Sequence, residues 1–374
     1  MSLKIDADYL CRELAALLAI PSPTGMTDEI IHHLSGRLGD LGLEATLTRR
    51  GAIRTRLAGR ASEGARAVVG HVDTLGAQVK ALREDGRLAL VPVGHWSARF
   101  AEGARATVIA ESGPIRGTIL PPLASGHTFG EAVDSAPIGW DHVVLRLDVP
   151  VSDPAGLEAL GVGIGDHVVI DPGTEFMPNG YIVSRHLDDK AGVAAMLAAL
   201  RAIRDLGEVP ALDCWWIFTI AEEVGHGAAG AMLPDIASLV AVDNGTTAPG
   251  QNSSEYGVTI AMADQTGPFD WHLTRKLVDL CRNHAIPHQK DVFRYYRSDS
   301  ASALEAGADL RTALVTFGVD ASHGYERIHL NALTSVAELL ARYSLSPVEI
   351  PRDARALAGL TGFTHQPVAA PEDE

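Results

Sequence analysis

Cysteines, basic residues and long apolar runs are rare or absent in this chain of 374 residues, and each shortage excludes a class of protein. It has only three cysteines: Cys11, Cys214 and Cys281. They are too few and too widely spaced to form a disulfide framework or a cysteine-rich zinc module. Basic residues are also few, because 31 Lys and Arg face 47 Asp and Glu, which gives a net charge of −16. Binding to a phosphate backbone needs clustered basic side chains, so we expect no nucleic-acid partner.

Long apolar runs are missing as well. A membrane-spanning helix needs about 18 or more consecutive apolar residues, and the sequence contains no such run. The apolar stretch 10–20 is interrupted by Arg12 and Glu13, which predicts an amphipathic helix rather than a signal peptide. We therefore expect a cytoplasmic protein without a membrane partner. Apolar residues make up 46% of the chain, which is enough to bury a sizeable core.

The pattern of apolar residues predicts two structural units. Residues 75–178 form short strand-like runs separated by Gly- and Pro-containing turns, which is typical of a small β-domain. On both sides of this stretch helical and strand patterns alternate, which predicts a sheet sandwiched by helices. We therefore expect an α/β domain from residues 1–74 and 179–363, with the β-domain inserted, and a disordered acidic tail at 364–374.

Four short motifs place acids or histidines at or just after predicted strand ends, where open α/β sheets form their sites. They are His71-Val72-Asp73, His186-Leu187-Asp188-Asp189, Glu222-Glu223-Val224-Gly225, and the pair Val242-Asp243 and Ser322-His323-Gly324. Taken singly, a surface turn or an acidic helix start explains most of them. The paired glutamates are harder to explain, because adjacent buried carboxylates repel unless a cation or a shared proton relieves them.

Taken together, the motifs predict a metal site. Two imidazoles and three carboxylates suit a pair of divalent ions, with zinc or cobalt favoured and manganese an alternative: His71, Asp188, Glu223, Asp243 and His323. With Asp188 bridging, each ion would have one histidine and one further carboxylate. Glu222 lies outside this set and could carry a proton from water to a leaving amine. Asp73 could hold the second ring nitrogen of His71.

The order HVD, LDDKAG, EEVG, VD and SHGYE resembles the dinuclear metallopeptidases that include the tetrahedral, deblocking and glutamyl aminopeptidases. The resemblance covers nearly the whole chain and implies the same five ligands, with Glu222 as general base. It implies a cis peptide between Asp188 and Asp189, and an outer acid at Asp299. Asp189 and His226 are further candidates for an outer position or for substrate contact. One departure is Glu326, which is the third residue after His323 where the family often has Glu at the fourth.

The resemblance also implies a mixed, three-layer sheet of the zinc-exopeptidase type. The inserted domain would be a small barrel that mediates dimers, and these dimers can assemble up to a dodecamer. The substrate would be a short peptide or a modified dipeptide. Within the family, the chain resembles a bacterial subgroup associated with making the osmoprotectant N-acetylglutaminylglutamine amide.

Three functional hypotheses remain open from the sequence. The first is a two-metal aminopeptidase acting on short peptides. The second is a metal-dependent amidase or deacylase that acts on a blocked dipeptide such as an osmoprotectant. The third is a non-catalytic oligomeric scaffold, although a structural metal site would need neither an open position nor a general base.

Overall fold

The computed structural model describes residues 3–354, 359–360 and 363–366. Within these residues the helices are α1 (Ala7–Ala19), α2 (Asp28–Asp40), α3 (Gly126–Phe129), α4 (Pro154–Ala159), α5 (Leu187–Leu206), α6 (Trp271–Asn283), α7 (Asp299–Glu305) and α8 (Leu330–Leu345). None of the helices among the described residues is long and apolar enough to cross a membrane. Most of the predicted disordered tail, from residue 367 onwards, lies outside the described residues.

The strands follow in chain order. They are β1 (Ala45–Leu47), β2 (Ile53–Leu57), β3 (Ala61–His71), β4 (Gly76–Leu82), β5 (Leu88–Val93), β6 (Arg105–Ala110), β7 (Gly113–Leu120), β8 (Val144–Leu147), β9 (His167–Ile170), β10 (Glu175–Phe176), β11 (Tyr181–Ser184), β12 (Leu212–Thr219), β13 (Ile236–Thr246), β14 (Val258–Asp264), β15 (Gly267–Pro268), β16 (His288–Val292), β17 (Arg311–Val319) and β18 (Glu326–His329).

The larger sheet is mixed, as predicted. Its strand order is β1-β2-β12-β3-β13-β17-β14-β15, with β16 paired to β14. The four central strands, β12, β3, β13 and β17, run parallel to one another, whereas β2 and β14 flank them in antiparallel pairs. The central strands are rich in apolar residues, and apart from the exposed start of β3 at 61–63 most of their residues are buried because helices cover the sheet. Helix α5 contacts β3, β13, α1 and α8.

The predicted β-domain is a closed barrel. Six antiparallel strands follow the order β4-β5-β8-β7-β6-β9, and their inward side chains form an apolar core separate from that of the larger sheet. Strand β10 lies within the predicted stretch 75–178, but it pairs with β11 in a three-stranded sheet completed by β18. The barrel strands themselves therefore span residues 76–170.

The parallel strands bring the sequence motifs to one edge of the sheet. Strand β3 ends at His71, and Thr219 at the end of β12 pairs with His71 in register. Strands β13 and β17 run in the same direction, so Asp243 near the end of β13 and the loop after β17 reach the same edge. This convergence at the carboxyl ends of parallel strands places the candidate residues together.

Candidate metal centre

His71 is buried at this edge, and both of its ring nitrogens have partners. Its Nδ1 lies 2.9 Å from the backbone oxygen of Asp73, and its Nε2 lies 3.2 Å from Oδ1 of Asp188. Because a carbonyl oxygen only accepts, Nδ1 carries a proton, and Nε2 is the nitrogen that faces Asp188. Burial alone would lower the pKa of His71, but its bonds to Asp188 and Asp73 outweigh burial and raise that pKa well above its usual value.

Asp73 holds His71 mainly through its backbone rather than through its side chain. The Asp73 carboxylate lies 3.5 Å from His71 Nδ1, farther than the Asp73 carbonyl. That carboxylate accepts hydrogen bonds from the hydroxyl of Thr24 at 2.6 Å and from the backbone N–H groups of Glu222 and Glu223 at 3.1 and 3.4 Å. The side chain of Asp73 therefore fixes the position of the paired glutamates.

Asp188 lies between the two predicted histidine ligands. Its Oδ1 is 3.2 Å from Nε2 of His71, and its Oδ2 is 3.2 Å from Nε2 of His323. Burial would raise the pKa of Asp188, but the hydrogen bonds with His323 and His71 hold it far below its usual value. The amide of Asn244 also donates to Oδ2 at 2.6 Å. The peptide between Asp188 and Asp189 is cis, as the family resemblance implies.

His323 receives its orientation from the barrel. Its Nδ1 donates to the backbone oxygen of His95 at 2.8 Å, which leaves Nε2 facing Asp188 and, at 3.7 Å, Oε2 of Glu223. The His95 loop is itself anchored, because the indole of Trp96 donates to Gly76 at 2.9 Å. Burial would lower the pKa of His323, but Asp188 and Glu223 raise it to about 10.

The ligand atoms form two groups, in each of which all atoms lie within 4.8 Å of one another. The first group is His71, Glu222 and Asp243, and the second is Asp188, Glu223 and His323. Glu222, which the sequence leaves outside the ligand set, thus belongs to the first group, with its Oε2 3.8 Å from Nε2 of His71. The distances themselves are compatible with Glu222 as a base or as a ligand.

The chemistry of this cluster fits two divalent cations. Burial raises the pKa of Glu222 to about 8, and it raises the pKa values of Glu223 and Asp243 well above their usual range. Oε1 of Glu223 is buried and has no hydrogen-bond partner within the described residues. So many buried carboxylates repel one another unless positive charge is present. The Nε2 atoms of the two histidines lie beside these carboxylates, and when unprotonated they complete a nitrogen and oxygen donor set for transition metals.

The three outer candidates have different surroundings. Asp189 is buried, and its Oδ2 accepts the backbone N–H of His71 at 3.3 Å. Asp299 is also buried and accepts from the Thr219 hydroxyl at 2.6 Å and from the backbone N–H of Ala228 at 2.7 Å. Burial raises the pKa of Asp299. The side chain of His226 is exposed and has no side-chain hydrogen bond in the part of the chain that the structure describes.

The Thr219–Asp299 bond gives a stability prediction. Replacing Thr219 by Val keeps the shape of the side chain but leaves a buried carboxylate oxygen without its donor. We expect the free energy of unfolding to fall by about 1–3 kcal/mol, measured by denaturant titration. The control is Thr46→Val on the exposed edge strand β1, which should change it by less than about 0.5 kcal/mol. Equal effects of the two substitutions would contradict the prediction.

Sequence reasoning did not assign Glu326 a role in the site. Its carboxylate accepts the backbone N–H groups of Leu187 at 2.8 Å, Asp188 at 3.2 Å and His323 at 3.0 Å. Glu326 therefore ties the start of α5 to the loop after β17. Its position near His323 was the available signal, although only the fold shows that it also reaches Asp188. Asn244, adjacent to Asp243, was also missed.

A model of the M42 glutamyl aminopeptidase family matches residues 51–339, a stretch that contains both ligand groups. The chain belongs to this family. M42 peptidases are metallopeptidases, which agrees with the donor set at the edge of the sheet. The family membership confirms the resemblance inferred from the sequence, whereas it does not test the osmoprotectant subgroup.

Known relatives of this M42 protein carry aminopeptidase names. One relative, named as an aminopeptidase, is YhfE of Bacillus subtilis (strain 168). It is 36% identical over 333 residues, which cover 89% of this chain and 96% of YhfE. The lysyl aminopeptidase of Pyrococcus furiosus is 31% identical over 167 residues, which cover 42% of this chain and 44% of that protein.

Solved structures share the fold. The TET aminopeptidase of the marine sediment archaeon Thaumarchaeota archaeon SCGC AB-539-E09 matches with a TM-score of 0.82 at 17% identity, covering 92% of this chain and 98% of that one. The TET1 peptidase of Pyrococcus horikoshii matches with a TM-score of 0.79 at 21% identity, covering 90% and 99%. These likenesses confirm the predicted mixed α/β fold.

Proposed function

We propose that the protein is a two-metal aminopeptidase that hydrolyses the N-terminal peptide bond of short peptides. The observation that carries this proposal is the position of Asp188, whose two oxygens each face one histidine within a buried group of acids. Family membership supplies the reaction class, and the geometry supplies donors for two ions. His71, Asp188 and Asp243 would hold one ion, and Asp188, Glu223 and His323 the other.

The reaction assigns a distinct task to Glu222. When bound, the divalent ions would polarise the scissile carbonyl and lower the pKa of the attacking water. The Glu222 carboxylate would take a proton from that water and deliver it to the nitrogen of the leaving amine. Asp73 would keep Glu222 in place, because its carboxylate accepts the backbone N–H of that residue. His71 and His323 would present their Nε2 lone pairs, since each Nδ1 proton is held by a backbone oxygen.

The proposal includes the chain's organisation and assembly. Residues 1–74 and 179–363 would form the catalytic unit, and residues 75–178 the inserted unit that mediates contacts between copies. One structural neighbour, PhTET1-12s, is described as a dodecamer, and the TET1 peptidase of Pyrococcus horikoshii can assemble into a tetrahedron or a large octahedral shell. A homo-oligomer of this chain, from a dimer up to a dodecamer, is the corresponding proposal.

Substrate chemistry tests the proposed activity. The purified protein, loaded in turn with zinc, cobalt or manganese, is incubated with peptides that are free, N-acetylated or C-amidated, and the products are followed by mass spectrometry. We expect stepwise loss of N-terminal residues from the free-amino peptides alone. Cleavage confined to blocked dipeptides, including N-acetylglutaminylglutamine amide, would instead support the amidase hypothesis. Two bound ions without hydrolysis of any amide would support the scaffold.

A further inference from the structure

Arg185 lies in the cleft beside the candidate metal centre, immediately after β11. It lines the same small pocket as Asp188, Glu223 and His323. Its guanidinium stacks on the ring of Tyr325, with 5.1 Å between Cζ and the ring centroid. A half-buried, permanently charged group therefore faces the place where a substrate of the proposed peptidase would lie.

The described residues offer the guanidinium of Arg185 few hydrogen-bond acceptors. Among the described residues, Nη1 and Nη2 reach only the backbone oxygens of Asp171 and Phe100, at 3.5 and 3.4 Å, which is the long limit for a hydrogen bond. Nε is buried and has no partner within the described residues. Arginine offers five N–H donors in a planar fork, so most of this fork remains available.

No carboxylate among the described residues comes within 4.0 Å of Arg185 to form an ion pair. The two carboxylates that act electrostatically on Arg185, those of Asp171 and Glu326, have other partners. Asp171 forms a two-pronged ion pair with Arg116, at 2.6 and 2.5 Å, and Glu326 accepts the backbone N–H groups described above. Burial also lowers the pKa of Arg185, so its charge is incompletely solvated. A ligand that carries a negative charge would satisfy this side chain.

We propose that Arg185 binds a carboxylate of the substrate and thereby determines which peptides are cleaved. A carboxylate matches the fork of the guanidinium with two parallel hydrogen bonds. The inference rests on the proposed aminopeptidase function, because it assumes that the scissile bond lies at the two ligand groups. The carboxylate has two possible sources: the C-terminus of a dipeptide, or the side chain of an acidic N-terminal residue.

Matched substrate pairs separate these sources. Leucyl-glycine and its C-terminal amide differ only in the terminal carboxylate, and glutamyl and glutaminyl p-nitroanilide differ only in the side chain. We measure kcat/KM for all four with the metal-loaded wild type, Arg185→Gln and Arg185→Lys. Arg146→Gln, at an exposed position on the barrel, is the control.

We expect Arg185→Gln to lower kcat/KM for the carboxylate member of one pair by about 10- to 100-fold, since charge-assisted hydrogen bonds have this strength. The uncharged member should change by less than about 2-fold. Arg185→Lys should recover part of the loss, because it keeps the charge but not the fork. The pair that responds identifies the source. Equal losses for both members of both pairs would overturn the inference.

Two further measurements keep this inference separable from the proposed function. Calorimetric titration of Glu222→Gln, with and without Arg185→Gln, compares binding of the dipeptide with that of its amide in the absence of turnover. If Glu222→Gln binds the dipeptide more tightly than its amide, and Arg185→Gln removes this preference, the inference about Arg185 is supported. This holds even if the wild type cleaves none of the substrates, and in that case only the proposed function fails. If Arg185→Gln does not fold, inhibition of the wild type is compared within two pairs: glutamate with glutamine, and glycine with glycinamide. Stronger inhibition by the carboxylate member of either pair supports the inference about Arg185. Equal inhibition within both pairs refutes it.

Discussion

Replacing Glu222 by Gln is expected to lower kcat by about 10²- to 10⁴-fold while leaving two divalent ions bound per chain. The amide keeps the size of the side chain but cannot take a proton from water. Activity on a free-amino dipeptide and metal content by mass spectrometry, both on the same preparation, provide the test.

The metal content decides between two roles for Glu222, because its carboxylate lies within the first ligand group. If it is a base, the ions remain bound. Loss of one ion together with activity would make Glu222 a ligand instead, and unchanged activity would remove it from the mechanism altogether. Glu102→Gln, at an exposed position on the barrel, is the matched control and should leave both quantities unchanged.

The second large effect is expected for Asp188→Asn. Each oxygen of Asp188 faces one of the two histidines, so this substitution weakens both proposed ion sites at once. Loss of groups that only orient metal ligands costs about 10- to 100-fold in affinity, and we expect the loss of a shared ligand to exceed about 100-fold for each ion. Equilibrium dialysis at a fixed free-metal concentration measures the stoichiometry, and hydrolysis should be lost in parallel.

Two comparison variants sharpen this result. His323→Gln changes a residue of the second ligand group alone and should reduce the number of ions bound per chain from two to one. Asp205→Asn changes an exposed carboxylate at the other end of α5 and should leave both ions bound. If Asp188→Asn retained two ions at wild-type affinity, a bridging role for this residue would be wrong.

The sequence identified the candidate ligands because their motifs lie where strand patterns end. His71 lies at the end of a short apolar run suited to a buried strand, and Asp243 follows another, and parallel strands carry such residues to one edge. The inserted β-domain was recognisable from its short strands and turns, and its barrel form was expected from the family resemblance. These features depend on local sequence, which explains why they could be predicted without the structure.

The contacts that orient the ligands could not be predicted in the same way. Glu326 bonds Asp188 across 138 residues, and the His95 carbonyl bonds His323 across 228. Such pairs depend on how distant loops meet once the chain has folded. The backbone carbonyl that holds His71 is likewise invisible in a sequence, because every residue has one. Arg185 was overlooked because the absence of an acidic partner within the described part of the chain is a property of the folded surroundings.

The hydrogen bond from His323 to the carbonyl of His95 has a consequence for how the barrel can change during evolution. This one loop helps to set the tautomer of a proposed ligand, and it is anchored by the indole of Trp96. The bond uses a backbone atom, so the side chain at position 95 is free to vary as long as the loop keeps its path. Exposed strand residues of the barrel that do not contact the site are not restricted in this way. Homologous barrels can therefore diversify their outer surfaces while the geometry of this loop is retained.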